Sequence, residues 1–148
     1  MHIYISIGEQ KLRLFEGDAL VAEYVVSSAA NGIGFEEGSY CTPTGRFEVS
    51  EKIGDGEALG TIFKSRKPMG VWDGTPSDDD MILSRILRLN GLDAENANSM
   101  ERYIYLHGTN HEALLGQPTS HGCIRMANAD IVELFDRIEL GAPLLIGY

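Results

Sequence analysis

Cysteine is scarce in this chain, two residues among 148, and positive charge is in short supply, with 12 Lys and Arg against 22 Asp and Glu. Two thiols, Cys41 and Cys123, are too few for the disulfide framework of a small secreted scaffold, and a reducing compartment would keep both free. The net charge of −10 repels phosphate backbones and anionic head groups alike, so no nucleic-acid partner and no stable membrane attachment are expected. No apolar run reaches the roughly 18 residues that a membrane-crossing helix needs. Met1-His2-Ile3-Tyr4-Ile5 lacks the cationic start, apolar stretch and small-residue cleavage site of a secretory signal. A cytoplasmic location is therefore expected, or the periplasm or cell envelope if a signal precedes Met1 in the native protein.

What is present suffices for one domain over residues 1–148, since 43% of the residues are hydrophobic and a core can form without metal or disulfide staples. Residues 2–7 alternate, placing Ile3, Ile5 and Ile7 on one strand face. Leu12, Leu14 and the Gly17-Asp18 step predict a hairpin into a strand over 19–27, and further strands fit 45–50, 81–89, 103–107 and 144–146. Between 51 and 80 the apolar rhythm fails, which predicts a long loop or lid. Ile131, Leu134, Phe135 and Ile138 form a helical stripe, with Asn128 the expected N-cap, Asp130 in the first turn, and Gly141 and Pro143 beyond the end. The fold class is mainly β with one C-terminal helix.

Residues 107–126 hold three of the four histidines and one of the two cysteines. A thiol is mostly protonated at neutral pH, so a catalytic cysteine needs a neighbouring base, and histidine is the usual one. His107 ends a predicted strand and so has a rigid mount, and the Gly108 carbonyl beside it can hold the imidazole in one tautomer. His121, two residues from Cys123, either touches the thiol or braces the turn. Gly122 frees backbone N–H groups for an oxyanion hole.

His107-Gly108-Thr109 followed by Ser120-His121-Gly122-Cys123-Ile124-Arg125-Met126 resembles the signature of the L,D-transpeptidase catalytic domain (YkuD type), and Thr42-Pro43-Thr44-Gly45-Arg46-Phe47 resembles that family's second hallmark. The resemblance implies an L,D-transpeptidase-like β-sandwich in which Cys123 is the nucleophile and His107 its base, oriented by the Gly108 carbonyl. It further implies that His121, Gly122 and the Cys123 backbone shape the turn and oxyanion hole, supported by Ser120, and that Arg125 and Ser120 belong to the substrate site. Arg125 would grip a substrate carboxylate. The implied substrates are peptidoglycan stem peptides or muropeptides, cleaved between the L-centre of a diamino acid and a terminal D-alanine through a thioester. An amine acceptor makes a cross-link in the cell envelope; water makes an L,D-carboxypeptidase of murein recycling, the outcome favoured by the expected location. No metal or other cofactor is implied.

Two other classes remain open on the residues alone. His107, His111, His121 and Cys123 offer four ligands of the kind zinc accepts, although a strand followed by glycine does not put His107 and His111 on one helical face. A non-catalytic binding module would use the Trp72 loop, the acids at 78–80 and the basic cluster Lys64, Arg66 and Lys67, all of which a solvated surface also explains. Cys41 reads as a packing residue, His111 as a polar loop residue and His2 as incidental.

Overall fold

The computed structural model describes all of residues 1–148. The period-two alternation at the N-terminus becomes β1 (His2–Ser6) and β2 (Lys11–Glu16), paired antiparallel so that Ile3, Ile5, Leu12 and Leu14 are buried. Gly17, at φ 59°, turns the chain into β3 (Ala19–Ser27). There follow β4 (Gly45–Ile53), β5 (Thr61–Lys64), β6 (Lys67–Val71), β7 (Ile82–Gly91), β8 (Tyr105–Gly108), β9 (Ile124–Met126), α1 (Asn128–Arg137) and β10 (Pro143–Gly147).

The strands run β4-β10-β1-β2-β3-β9-β8-β7, and β7 pairs back onto β4, so eight of the ten strands close into a ring without a free edge. The sandwich-like β fold expected from the sequence is thus a closed one. β8 and β9, like β1 and β10, are parallel; the other pairs are antiparallel. An apolar cluster of 22 buried residues fills the interior, and α1 seals it with Ile131, Leu134 and Phe135 while packing on β7 and β8. Burial on this scale, not intrinsic propensity, holds the short helix.

The 51–80 segment is not one long loop. Residues 51–53 continue β4, and β5 and β6 form a hairpin whose β5 pairs with the start of β7, leaving loops on either side. The turn is Ser65-Arg66, both at positive φ, a conformation normally signalled by Asn or Gly, and every residue of β6 is exposed. Neither turn chemistry nor alternation therefore marked the hairpin. Asn128 is likewise not the N-cap of α1: Ala127 holds that position, and Asn128 is the first helical residue. Its amide instead donates to Thr109 O (2.9 Å) and Glu112 Oε1 (3.1 Å) and accepts from Ser84 Oγ (2.7 Å).

Candidate active site

The parallel register of β8 and β9 sets Leu106 beside Ile124, His107 beside Arg125 and Gly108 beside Met126. Leu106, Ile124 and Met126 point into the core, so strand alternation puts Tyr105, His107, Cys123 and Arg125 on the opposite face. Residues sixteen positions apart in sequence, His107 on β8 and Cys123 immediately before β9, are thereby brought to the same face. Glycine at 108 is obligatory for this arrangement: a Cβ would lie 2.4 Å from Asn128 Oδ1 and 2.6 Å from Leu83 O.

The His107 Nδ1 lies 2.6 Å from Gly108 O. A carbonyl can only accept, so Nδ1 carries the hydrogen and Nε2 presents its lone pair. The ring is buried, which lowers its pKa below the ordinary histidine value, against the opposing effects of the Gly108 bond and the Asp80 charge. Burial also pushes the Cys123 thiol up to about 12, with the Tyr105 N–H, Arg125 and Arg102 pulling the other way and Asp80 adding to the rise. The resting pair is a neutral thiol and a neutral imidazole. The thiol donates to Tyr103 O (3.3 Å) and accepts the Tyr105 N–H (3.4 Å). Tyr103, at φ 56°, is the strained residue that turns its carbonyl to this position.

Below the thiol the turn is braced by hydroxyls. Ser120 is buried, donates to Cys123 O (2.6 Å) and accepts the Gly122 N–H (3.2 Å), so it supports the turn. Gly122 sits at φ 127°, and its carbonyl accepts the Thr42 hydroxyl (2.9 Å), which in turn accepts the Ala29 N–H (2.9 Å). The Thr42 of the upstream hallmark thus clamps the cysteine turn to the end of β3. With the Gly122 N–H taken by Ser120, the Cys123 N–H has no acceptor and is the donor available to an oxyanion.

Arg125 differs most from expectation. Its side chain is 3% exposed, and Nη2 lies 3.0 Å from Oδ1 of Asp80, whose Oδ2 is 3.4 Å from His121 Nδ1. The guanidinium charge is already matched from within, so Arg125 cannot take a substrate carboxylate while Asp80 is in place. His121, largely exposed, stands edge-on to Tyr40 and pairs with Asp80, neither touching the thiol nor bracing the turn. Asp80 went unrecognised because a run of three acids normally marks a solvated surface; only tertiary structure turns the third one inward. Its loop is tied down by Asn110, which bonds Ser77 O, Asp79 O and the Met81 N–H, and by His111, whose Nε2 lies 2.7 Å from Ser77 O.

The four candidate zinc ligands are not gathered, since His111 faces Ser77 and His107 faces Gly108, and no three His, Cys, Asp or Glu side chains are placed to hold a metal. Of the basic cluster, Arg66 donates to the Tyr105 hydroxyl (3.2 Å), while Lys64 and Lys67 are exposed; the Trp72 indole donates to Thr75 O within its own loop. Cys41 is a free thiol directed at the carbonyls of Asn31 and Ser39, and His2 stacks on Phe15. A cavity of about 170 Å³ opens over Cys123, lined by Tyr40, Arg102, Tyr103, Ile104 and His121 among others.

A closed β domain that brings to one face a histidine on β8 and a cysteine just before the parallel β9 defines a cysteine-centred site of one architecture. The model of the L,D-transpeptidase catalytic domain (YkuD) matches residues 1–146, and the chain belongs to that family. It is 34% identical to YqjB of Bacillus subtilis (strain 168) over 105 residues, 71% of this chain and 51% of that protein. YkuD of the same organism is 34% identical over 73 residues, 49% of this chain and 44% of that protein, so the chain spans about half the length of these relatives. Among solved structures, an L,D-transpeptidase from Xylanimonas cellulosilytica superposes with a TM-score of 0.64 at 20% identity, covering 98% of this chain and 59% of that one. L,D-transpeptidase 3 from Mycobacterium tuberculosis, solved with a faropenem-derived adduct, gives 0.63 at 17% identity, covering 99% and 59%. At these identities the superpositions show the shared fold.

Proposed function

We propose that this chain is a cysteine acyl-transfer enzyme acting on peptidoglycan stem tetrapeptides, cleaving the bond between the L-diamino acid and the terminal D-alanine, with water as the preferred acceptor. The observation that carries the chemistry is the locked tautomer of His107, whose Nε2 lone pair belongs to the same strand face as the Cys123 thiol. On substrate binding the thiol rotates off Tyr103 O and gives its proton to Nε2 as sulfur attacks the carbonyl carbon. The oxyanion that forms is met by the Cys123 N–H. Collapse breaks the C–N bond, the protonated His107 returns its proton to the departing D-alanine amine, and a thioester remains. His107 then takes a proton from water, hydroxide adds to the thioester, and the thiol is released with a tripeptide carboxylate. An amine in place of water would give a cross-link by the same steps.

Family membership supports the substrate class. Hydrolysis of soluble muropeptides suits a chain of net charge −10, which has no attraction to an anionic surface. Incubation with a tetrapeptide, with and without an amine acceptor, and mass analysis of the products tests the reading. Tripeptide in excess of dimer is expected; dimer in excess would establish cross-linking, and neither product would remove the substrate assignment.

A further inference from the structure

The cavity over Cys123 contains a cation that no carboxylate of the protein satisfies. Arg102 lines it and is partly buried. Of the seven other arginines, Arg13, Arg46, Arg88, Arg125 and Arg137 each have a carboxylate oxygen within 4.0 Å, while Arg66 and Arg85, which bond the Tyr105 hydroxyl and the Glu57 and Ser84 carbonyls, lie outside this cavity. Arg102 has no such carboxylate. Its bonds go to neutral acceptors: Nη1 to Gly34 O (3.3 Å), and Nη2 to Cys41 O (2.7 Å) and Ser39 Oγ (3.4 Å). A guanidinium has five N–H donors, so Nε–H and one hydrogen of Nη1 remain unused. Those three bonds clasp the loop at 34–41, but they bring no carboxylate into direct contact with the group at a site partly removed from water. Burial accordingly lowers its pKa.

We infer that Arg102 is the carboxylate subsite of this active site, holding an anionic group of the acyl donor next to Cys123. The role expected of Arg125 passes to Arg102 because Asp80 is paired with the first, whereas the second is held by neutral acceptors. Glu37 and Glu101 line the same cavity beyond ion-pair distance of Arg102, so the subsite is bordered by negative charge. That border disfavours a second anion and accepts an ammonium group beside the bound carboxylate. A donor whose diamino acid ends in both groups fits this arrangement. The carboxylate itself has two possible sources in such a donor, the side-chain end of the diamino acid and the terminal D-alanine.

The identity of the ligand rests on the proposed function; the existence of the anion subsite does not, and its test is independent of peptide turnover. In a Cys41→Ala background, Cys123 is alkylated with iodoacetate and with iodoacetamide, which differ only in carrying a carboxylate or a neutral amide. Arg102→Gln should lower the iodoacetate-to-iodoacetamide rate ratio at least about 5-fold, while Arg102→Lys, which keeps the charge, stays within about 2-fold of the parent. Because Lys retains the cation, it keeps the test valid if Gln weakens the loop clasp and lowers both rates together. An unchanged ratio in Arg102→Gln overturns the subsite. With tetrapeptides, one arm amidates the terminal D-alanine and the other the side-chain carboxylate; the amide that raises KM about 10-fold in the parent but not in Arg102→Gln identifies the source. If neither amide raises KM in the parent while the free tetrapeptide is cleaved, the subsite is refuted and the proposed function stands.

Discussion

Replacing Asp80 with alanine removes the one carboxylate facing a guanidinium that is 3% exposed. Breaking a buried pair from one side typically costs about 3–5 kcal/mol, because the remaining charge is left without compensation. Here the cost is smaller for two reasons. Asp80 itself keeps 24% of its side-chain surface exposed, and the 3.0 Å contact lacks hydrogen-bond alignment, since neither Asp80 Oδ1 nor Arg125 Nε has a hydrogen-bond partner. Solvent screening and the absent bonds bring the expected loss to about 2–3 kcal/mol. For a chain of this length that corresponds to a fall of about 5–10 °C in Tm. The loop itself should persist, as Ser77, Asp79 and Met81 stay tied to Asn110 and His111. Adding Arg125→Met removes the orphaned charge and should recover most of the loss, a non-additivity that melting curves of the two single variants and the double variant read directly. A Tm for Asp80→Ala within about 1 °C of the parent, or strictly additive losses, would refute the buried-pair reasoning. The same substitution bears on catalysis: the Asp80 charge raises the His107 pKa, so without it the acid limb of kcat/KM moves to lower pH.

Cys123→Ala should abolish D-alanine release with the fold intact, whereas Cys41→Ala stays active; release at the parental rate from Cys123→Ala would remove the nucleophile. His107→Ala should lower kcat/KM by about 10²–10⁴, the usual range for a positioned proton-transfer group, while His111→Ala, which loosens only the Ser77 anchor, costs far less. Stability should fall on both sides of neutrality. Since the folded pKa of His107 is lowered, its contribution is complete above about pH 6.5 and is lost as pH falls through the folded value; since that of Cys123 is raised to about 12, its contribution is complete below about pH 8.5 and is lost as pH rises. Melting of His107→Ala and Cys123→Ala across pH should flatten the acid and alkaline sides respectively. A carbapenem should give one covalent adduct by intact mass, mapped to Cys123, and an adduct confined to Cys41 would contradict the site.

Much of the architecture follows from patterns local to the chain. Ile3, Ile5, Leu12 and Leu14 alternate because a strand has two faces, and Ile131, Leu134 and Phe135 recur at helical spacing because a helix buries one stripe, so β1, β2 and α1 are legible without coordinates. The candidate reacting pair is legible too, because an imidazole beside an approachable glycine carbonyl and a thiol in a glycine turn lie within one short stretch. The β5–β6 hairpin was hidden by a turn of Ser65 and Arg66 and by a strand with no buried face. Asn128 has the chemistry of an N-cap, yet the packing of α1 against Ser84, Thr109 and Glu112 gives its amide other partners. The residues by themselves also point to Arg125 as the guanidinium of the site and give no signal for Arg102. Closure of the sheet brings Asp80 onto Arg125 and leaves Arg102 among backbone carbonyls. The charge of an arginine belongs to its side chain, but whether a carboxylate reaches it, and how much water remains around it, is decided only when distant segments meet.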